Sequence, residues 1–343
     1  MEINKKYPLV SVCTPTYNRR PFIPIMIQCF QHQTYPIERM EWIIVDDGTD
    51  SIEHLIKEID LPQIKYYRFE EKMTLGEKRN FMHKKTRGSY IVYMDDDDYY
   101  PPERVSHAVS KLQNNPWAMI AGSSKLYIYF NHISQMIQFG PYGENHATAG
   151  TFAFRKSLLE ETQYDDLACL AEERNFLKNY TIPMVQLNPL KTILVFAHNH
   201  NSVNKYDLLK NPNTQHVISK LKVHDFIRKE KETMIFDFFT KYMDELLDSY
   251  SLGDPKMKKD VLQYLHVMKE ERSNMQNIIH ASVPKIKVVG SQGIQELGLR
   301  ETVDILEKQR TTIEVLQQKL YCMEKDNINL RQKLEQQHYN KIR

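Results

Sequence analysis

Tyr90-Ile91-Val92-Tyr93-Met94-Asp95-Asp96-Asp97-Asp98 is the stretch on which the reading of this chain turns. The first five residues are apolar, aromatic or β-branched, and read as a buried strand. Four carboxylates then follow without a break. Two unit charges about 4 Å apart repel by roughly 4 kcal/mol at an effective dielectric of 20, so such a run is costly without a cation. If the backbone stays extended, Asp95 and Asp97 share one face and Asp96 takes the other. A pair of carboxylates at i and i+2, at the end of a buried strand, makes a hard-oxygen seat for Mg²⁺ or Mn²⁺. The bland alternative is a solvated acidic loop, and the surrounding sequence decides between them.

Upstream, Leu9–Cys13, Trp42–Val45 and Ile64–Phe69 read as further strands. Phe22–Tyr35 reads as a helix closed by Pro36, and Glu103–Leu112 as another after Pro101-Pro102. Ala118–Phe130 and Ile133–Phe139 read as a hairpin around Asn131-His132, and Thr192–Phe196 as a late strand. Alternating strands and helices predict an α/β domain with a mostly parallel, Rossmann-like sheet flanked by helices. In such sheets ligands sit beyond the carboxyl ends of the strands. Three polar clusters occupy those ends: Thr14-Pro15-Thr16-Tyr17-Asn18-Arg19, Asp46-Asp47-Gly48-Thr49 and the acidic tetrad. Gly76-Glu77-Lys78-Arg79-Asn80 adds two cations near a helix start, where backbone N–H groups favour phosphate. Carboxylates, a metal and basic groups in one crevice predict a nucleoside-diphosphate site. Taken alone, Lys78 and Arg79 also fit a solvated helix face.

With 343 residues the chain has room for more than one domain, and its net charge of +2 gives no global pull toward nucleic acid or an anionic membrane. No apolar run approaches the roughly 18 residues of a membrane span. Met1–Pro8 lacks an apolar secretory core. Cys13, Cys29, Cys169 and Cys322 are scattered without metal-type spacing, which predicts reduced thiols and a cytoplasmic protein.

The predicted organisation is a catalytic-type α/β domain over residues 1–205, a helical region over 206–295 and a coiled-coil tail over 296–343. In the middle region Ile235, Phe238, Phe239, Tyr242 and Leu246 form a core stripe, Asp254-Pro255 starts a helix, and Gly290 and Gly293 flank a hinge. In the tail, Leu299, Leu306, Ile313, Leu320, Asn327 and Leu334 recur every seven residues, with Leu316, Met323 and Leu330 at d. Lys319 faces Glu324 of a parallel second copy, and Asp326 faces Arg331, which predicts a homodimer. A single helix folded back on the body is the alternative.

Pro15-Thr16-Tyr17-Asn18, Val45–Thr49, and Met94–Asp98 followed by Pro102-Glu103-Arg104 together resemble family 2 glycosyltransferases of the GT-A fold, over residues 7–205. Gly76–Asn80 with Asp95–Tyr100 is also similar to such enzymes of large DNA viruses, which would place the protein in host cytoplasm. The resemblance implies that Thr14, Pro15, Tyr17, Asp46 and Asp47 hold the base and ribose, and that Lys78 and Arg79 reach base or diphosphate. Asp95 and Asp97 match the outer positions of the family's Asp-x-Asp motif. Asp97 would bind Mn²⁺ or Mg²⁺ most directly, Asp95 the ribose or a metal-bound water, and Asp96 would matter less. Ala171-Glu172-Glu173-Arg174-Asn175-Phe176 resembles the family's acidic motif, with Glu173 as catalytic base and Glu172 as fallback. His198-Asn199-His200-Asn201-Ser202 resembles the segment that closes on the diphosphate and offers His198 or His200 to the metal. His146–Thr151 fits an acceptor-side loop.

The implied activity is metal-dependent, inverting transfer of a sugar from a nucleotide donor, expected to be uridine-linked, to a hydroxyl on a glycan, protein or lipid. Two alternatives are weighed against it. A sugar-phosphate nucleotidyltransferase would open with a Gly-rich loop after the first strand, where this chain has Thr14–Asn18. A non-catalytic interaction protein on a coiled-coil dimer would not need so complete a motif set.

Overall fold

A computed structural model describes residues 6–210, 216–282, 286–290, 293–297, 302–314, 316–317, 319–320 and 323. The chain packs as two compact units, Met1–His266 and Val267–Arg343.

The first unit is built on a seven-stranded sheet. Its strands are β1 (Val10–Thr16), β2 (Met40–Asp46), β3 (Ile64–Arg68), β4 (Tyr90–Tyr93), β5 (Ile120–Gly122), β8 (Ala153–Arg155) and β9 (Met184–Gln186), in spatial order β3-β2-β1-β4-β8-β5-β9. β1 pairs in parallel with both β2 and β4, and β2 with β3; β8 runs antiparallel to both β4 and β5. The order therefore reverses between β1 and β4. That is the switch point where an open α/β sheet leaves a crevice.

Alternation along the strands feeds two apolar layers. Val10, Val12, Trp42, Ile44, Tyr90 and Val92 face one layer, while Cys13, Ile43, Val45, Ile91 and Tyr93 face the other. The helix Ile23–Gln31 covers the first, with Phe30 stacked 4.4 Å from Trp42. Helix Leu75–Lys85 covers the second through fully buried Met82. Burial of an aromatic or aliphatic side chain of this size is worth about 1.5–3 kcal/mol, so the sheet is fixed from both faces.

A second sheet, β10 (Val195–Ala197), β6 (Leu126–Phe130), β7 (Gln135–Phe139) and β11 (His216–Ile218), stands in the order β10-β6-β7-β11. Here the structure departs from the expected single strand over Ala118–Phe130. The chain leaves the main sheet after Gly122, and only Leu126–Phe130 forms the hairpin, through a short turn at Asn131–Ile133. The late strand also joins this second sheet, parallel to β6.

The helical stripe beyond residue 230 holds in its first half only. Ile235, Phe238 and Phe239 are buried, but Tyr242 and Leu246 are 52% and 44% exposed. A π-helical turn at Phe238–Tyr242 is the cause: one extra residue rotates the downstream turns by about 100°. Asp254 does cap, accepting from Lys256 N at 2.8 Å, but it starts a single turn (Pro255–Met257); the long helix is Lys259–Ser282. In the second unit, Gly290 and Gly293 pair as the last rung of an antiparallel hairpin, β12 (Ile286–Gly290) with β13 (Gly293–Leu297), rather than as a hinge. Residues 302–314 are helical. Of the coiled-coil positions, Leu299, Asn327, Leu330 and Leu334, with Glu324, Asp326 and Arg331, lie outside the described residues, as does Cys322.

Candidate active site

A cleft opens at the β1/β4 switch point. Pro15, Thr16, Tyr17 and Arg19 enter it from the end of β1, Asp95, Asp96 and Asp97 from the end of β4, and Lys78 and Arg79 from helix Leu75–Lys85. Three motifs far apart in sequence thus meet at one place.

Each wall has a local cause. Thr74 starts the basic helix by accepting a hydrogen bond from Glu77 N at 3.2 Å. Lys78 donates to Thr16 O at 3.0 Å and ion-pairs with Asp47, which also accepts from Met73 N at 2.7 Å. Burial lowers the Lys78 pKa, against the pull of Asp47. Arg79 donates from Nε to Glu172 Oε1 at 2.9 Å, places Nη2 3.6 Å from Asp95 Oδ1, and lies over the Tyr93 ring at 4.4 Å. Its Nη1 is buried with no hydrogen-bond partner. Gly150 lies against this acid: a Cβ there would stand 2.9 Å from Asp95 Oδ2.

The strand ends at Tyr93, so the tetrad lies in a turn rather than in extended chain. Asp96, expected on the opposite face, instead lines the same cleft, with Oδ1 3.6 Å from Arg19 Nε, while Asp97 Oδ2 is 3.3 Å from Arg19 Nη2. Arg19 belongs to the β1 motif, but nothing in the string Asn18-Arg19-Arg20 marks it as the tetrad's counter-charge. Burial raises the Asp95 pKa, with Arg79 opposing, and pushes Asp96 up to about 7, with Arg19 opposing. Burial also works against ionised Asp97, but His198 and Arg19 outweigh it and hold that carboxyl well below its usual range.

His198 Nε2 stands 3.4 Å from Asp97 Oδ2 and 2.8 Å from Asn201 Nδ2, and burial lowers its pKa to about 3, so the ring is neutral near pH 7. His200 is directed elsewhere, its Nδ1 against Gly253 and its carbonyl accepting from Arg19 Nη2 at 2.8 Å. A carboxylate and a neutral imidazole aimed at one point suit Mn²⁺ or Mg²⁺, and buried Asp95 Oδ1 is an acceptor without a hydrogen bond. Among the described residues no three acidic, histidine or cysteine side chains close a cage, so ligand oxygens and water would complete the coordination.

Two residues expected to touch nucleotide serve the scaffold. Thr14 Oγ1 donates to Met94 O at 2.6 Å and accepts from Trp42 Nε1 at 2.9 Å. Asp46 accepts from Gly48 N, Ile52 N and Tyr66 Oη at 2.9, 3.2 and 2.6 Å, which fixes the loop that carries Asp47. Neither lines the cleft, and nor does Asp47, whose buried carboxylate is taken up by Lys78 and Met73 N.

Glu172 and Glu173 follow Ala171, whose φ of 54° is in the left-handed region. Glu172 is tied to Arg79. Burial, then the neighbouring Glu172 charge, raises the Glu173 pKa to about 7. Neither glutamate lines the cleft, although Cys169 and Leu170 just before them do. Nearby, His146 stacks on Tyr180 at 4.9 Å, and Lys178, Asn179 and Tyr180 all have positive φ. Three strained residues in a row cost of order 1–3 kcal/mol each, and such strain clusters at functional sites.

Residues 11–163, which carry all three strand-end motifs, match the model of glycosyl transferase family 2. A glycosyltransferase of Haemophilus influenzae, described as uncharacterized, is 27% identical over 108 residues, covering 32% of this chain and 36% of its own length. A putative teichuronic acid biosynthesis glycosyltransferase of Bacillus subtilis is 33% identical over 102 residues (29% and 39%). The chain thus spans under two fifths of these relatives' length. Among solved structures, Staphylococcus aureus TarS with UDP-GlcNAc is 18% identical, with a TM-score of 0.44 over 55% of this chain and 58% of that one. A Pyrobaculum calidifontis mannosyltransferase with GDP-Man and Mn²⁺ is 16% identical, with a TM-score of 0.46 over 60% and 65%. Among the described residues no helix is long and apolar enough to cross a membrane. Residues 11–163, with the switch-point crevice and its acidic and basic walls, are thus similar to glycosyl transferase family 2 and to glycosyltransferases of bacteria.

Proposed function

We propose that the protein transfers a sugar, with inversion, from a uridine diphosphate sugar to a hydroxyl acceptor on a glycan, protein or lipid. The observation that carries this reading is the meeting of Asp95 and Asp97 with Lys78 and Arg79 in one crevice at the β1/β4 switch point. A nucleoside diphosphate has the charge and length for such a crevice. Its base and ribose fit against Pro15 and Tyr17, while buried Asp47, outside the cleft lining, positions Lys78 through their ion pair.

Asp97 and His198, with Asp95, are the residues that would hold Mn²⁺ or Mg²⁺, which when bound offsets charge on the departing diphosphate. Arg79 and Arg19 add fixed positive charge on the same side. Glu173 takes the proton of the acceptor hydroxyl as its oxygen attacks the anomeric carbon and the bond to the β-phosphate oxygen breaks. A carboxyl raised to about 7 is suited to that exchange near neutral pH, whereas Glu172 is committed to Arg79. The His146–Tyr180 stack beside these glutamates offers an aromatic face to an acceptor ring. The tail is proposed to pair two copies of the chain.

Incubation with a panel of nucleotide sugars and Mn²⁺ tests the reading. UDP release dependent on metal and acceptor supports it. Pyrophosphate release would point to a nucleotidyltransferase instead, and no turnover of any donor would favour a scaffold.

A further inference from the structure

Residues 206–295 carry no recognisable motif, yet Lys258, Asp260 and Val261 line the cleft. Residues 250–261 lie as a strap over the turn that follows β1. Asn18 Nδ2 donates to Leu252 O at 3.0 Å, Arg19 Nη1 to Gly253 O at 3.5 Å, and Tyr250 Oη to Asp50 Oδ2 at 2.7 Å. Lys72 and Asp260 ion-pair at the far end of the strap, and both line the cleft. Gly253 allows the approach, because a Cβ there would fall 2.5 Å from His200 Nδ1.

This seating carries Lys258 into the cleft. The side chain is 6% exposed, and Nζ donates to Ser202 Oγ at 2.9 Å. Asp96 and Asp97, the acids beside it, are already engaged by Arg19 at 3.6 and 3.3 Å. An ammonium has three donors, and one hydroxyl leaves most of that capacity unused at a buried site. Such a charge is expensive unless an anion completes it. Arg79, from a separate element, lines the same cleft, and its Nη1 is buried without a hydrogen-bond partner. Two cationic side chains from distant segments therefore line one space.

We propose that Lys258 is a binding residue for the donor's diphosphate, delivered by the strap to the cleft that Arg79 also lines. The inference rests on the nucleotide-sugar reading above and adds to it a ligand from outside the family segment. It makes the strap part of the donor pocket, so that the transferase fold alone is an incomplete site.

Calorimetry on the full chain with uridine, UMP and UDP, in Mn²⁺, is the test. Lys258→Met should weaken UDP about 10- to 100-fold and leave uridine within about twofold, and Lys258→Arg should restore most of the loss. Ser202→Ala, which frees Nζ without removing it, should change UDP affinity by less than Lys258→Met. If Lys258→Met is poorly folded by circular dichroism, Lys258→Gln carries the same comparison. Unchanged UDP binding in folded Lys258→Met overturns the assignment, as does tighter binding, which would make the strap a plug. Failure of the unaltered protein to bind any uridine nucleotide would instead sink the donor reading on which the inference stands.

Discussion

Arg79 Nε donates to Glu172 Oε1 at 2.9 Å, and the same guanidinium stands 3.6 Å from Asp95. One buried arginine thus ties the acidic motif after the family segment to the first acid of the tetrad. The two adjacent glutamates consequently have different chemistry. Glu173→Gln is expected to lower kcat by about 10²–10⁴ with UDP affinity intact, the usual loss when a general base is removed. Glu172→Gln should instead loosen Arg79, raising the donor KM with a smaller fall in kcat. Steady-state kinetics with UDP calorimetry separates the two, and near-native turnover in Glu173→Gln would remove that residue as base.

The same residue sets a pH dependence. Burial and Glu172 raise its pKa to about 7, and a base works only when deprotonated. The kcat/KM should therefore climb with pH, about tenfold per unit below pH 7, and level off above it. Glu173→Gln should lack this limb. A limb that survives in the variant belongs to another group.

Of the two histidines offered by the sequence, His198 is the one beside Asp97, at 3.4 Å, whereas His200 packs on Gly253. Asp97→Asn is expected to abolish metal-dependent UDP binding, and His198→Ala to weaken Mn²⁺ affinity. His200→Ala should leave Mn²⁺ affinity nearly unchanged and lower thermal stability. Metal titrations followed by calorimetry and a melting curve decide; the reverse ranking would mean that the histidine loop rearranges when the cation enters.

Of the residues singled out in the sequence, Tyr17 and Asp95–Asp97 at strand ends and the Lys78-Arg79 pair in a helix are brought to one cleft. The first two follow from where a buried strand stops, the pair from where a helix starts. Two kinds of information were hidden. Thr14 and Asp46 occupy strand ends like their neighbours, but their side chains turn back to Met94 O and to the Gly48–Ile52 backbone, a choice made by packing. Arg19 reaches the tetrad, and Lys258 the cleft, only through contacts spanning many tens of residues, which no periodicity encodes. The π-turn at Phe238–Tyr242 similarly shifts a helical face without a sequence signal.

Stability should respond to acid through the opposite end of the sheet. Glu41 on β2 accepts from Ser11 Oγ at 2.6 Å, Arg87 Nε at 2.9 Å and Lys65. Burial alone would raise its pKa, but these bonds, led by Lys65 and Ser11, lower it to about 2. A carboxyl with a depressed folded pKa stabilises the protein above its unfolded value, near 4.5, and that contribution fades as pH falls toward 2. It amounts to about 2–3 kcal/mol, discounted for the exposed ends of Lys65 and Arg87. Glu41→Gln should lower Tm at pH 7 and narrow the gap from the parent as the pH drops from 5 to about 3. A gap that does not narrow would place the effect in packing.

The tail poses a question of burial. Within the described residues Leu306, Ile313, Leu316, Leu320 and Met323 are each more than half exposed. They are heptad a and d positions, so the apolar side chains recur on one stripe. An isolated helix with that stripe in water has little to stabilise it, whereas a second copy in parallel would cover the stripe and set Lys319 against Glu324. Light scattering at micromolar concentration is expected to give twice the chain mass. Leu306→Glu together with Ile313→Glu should yield a monomer that still binds UDP, because the donor cleft is contained in Met1–His266. A parent protein that scatters as a monomer would end the dimer proposal.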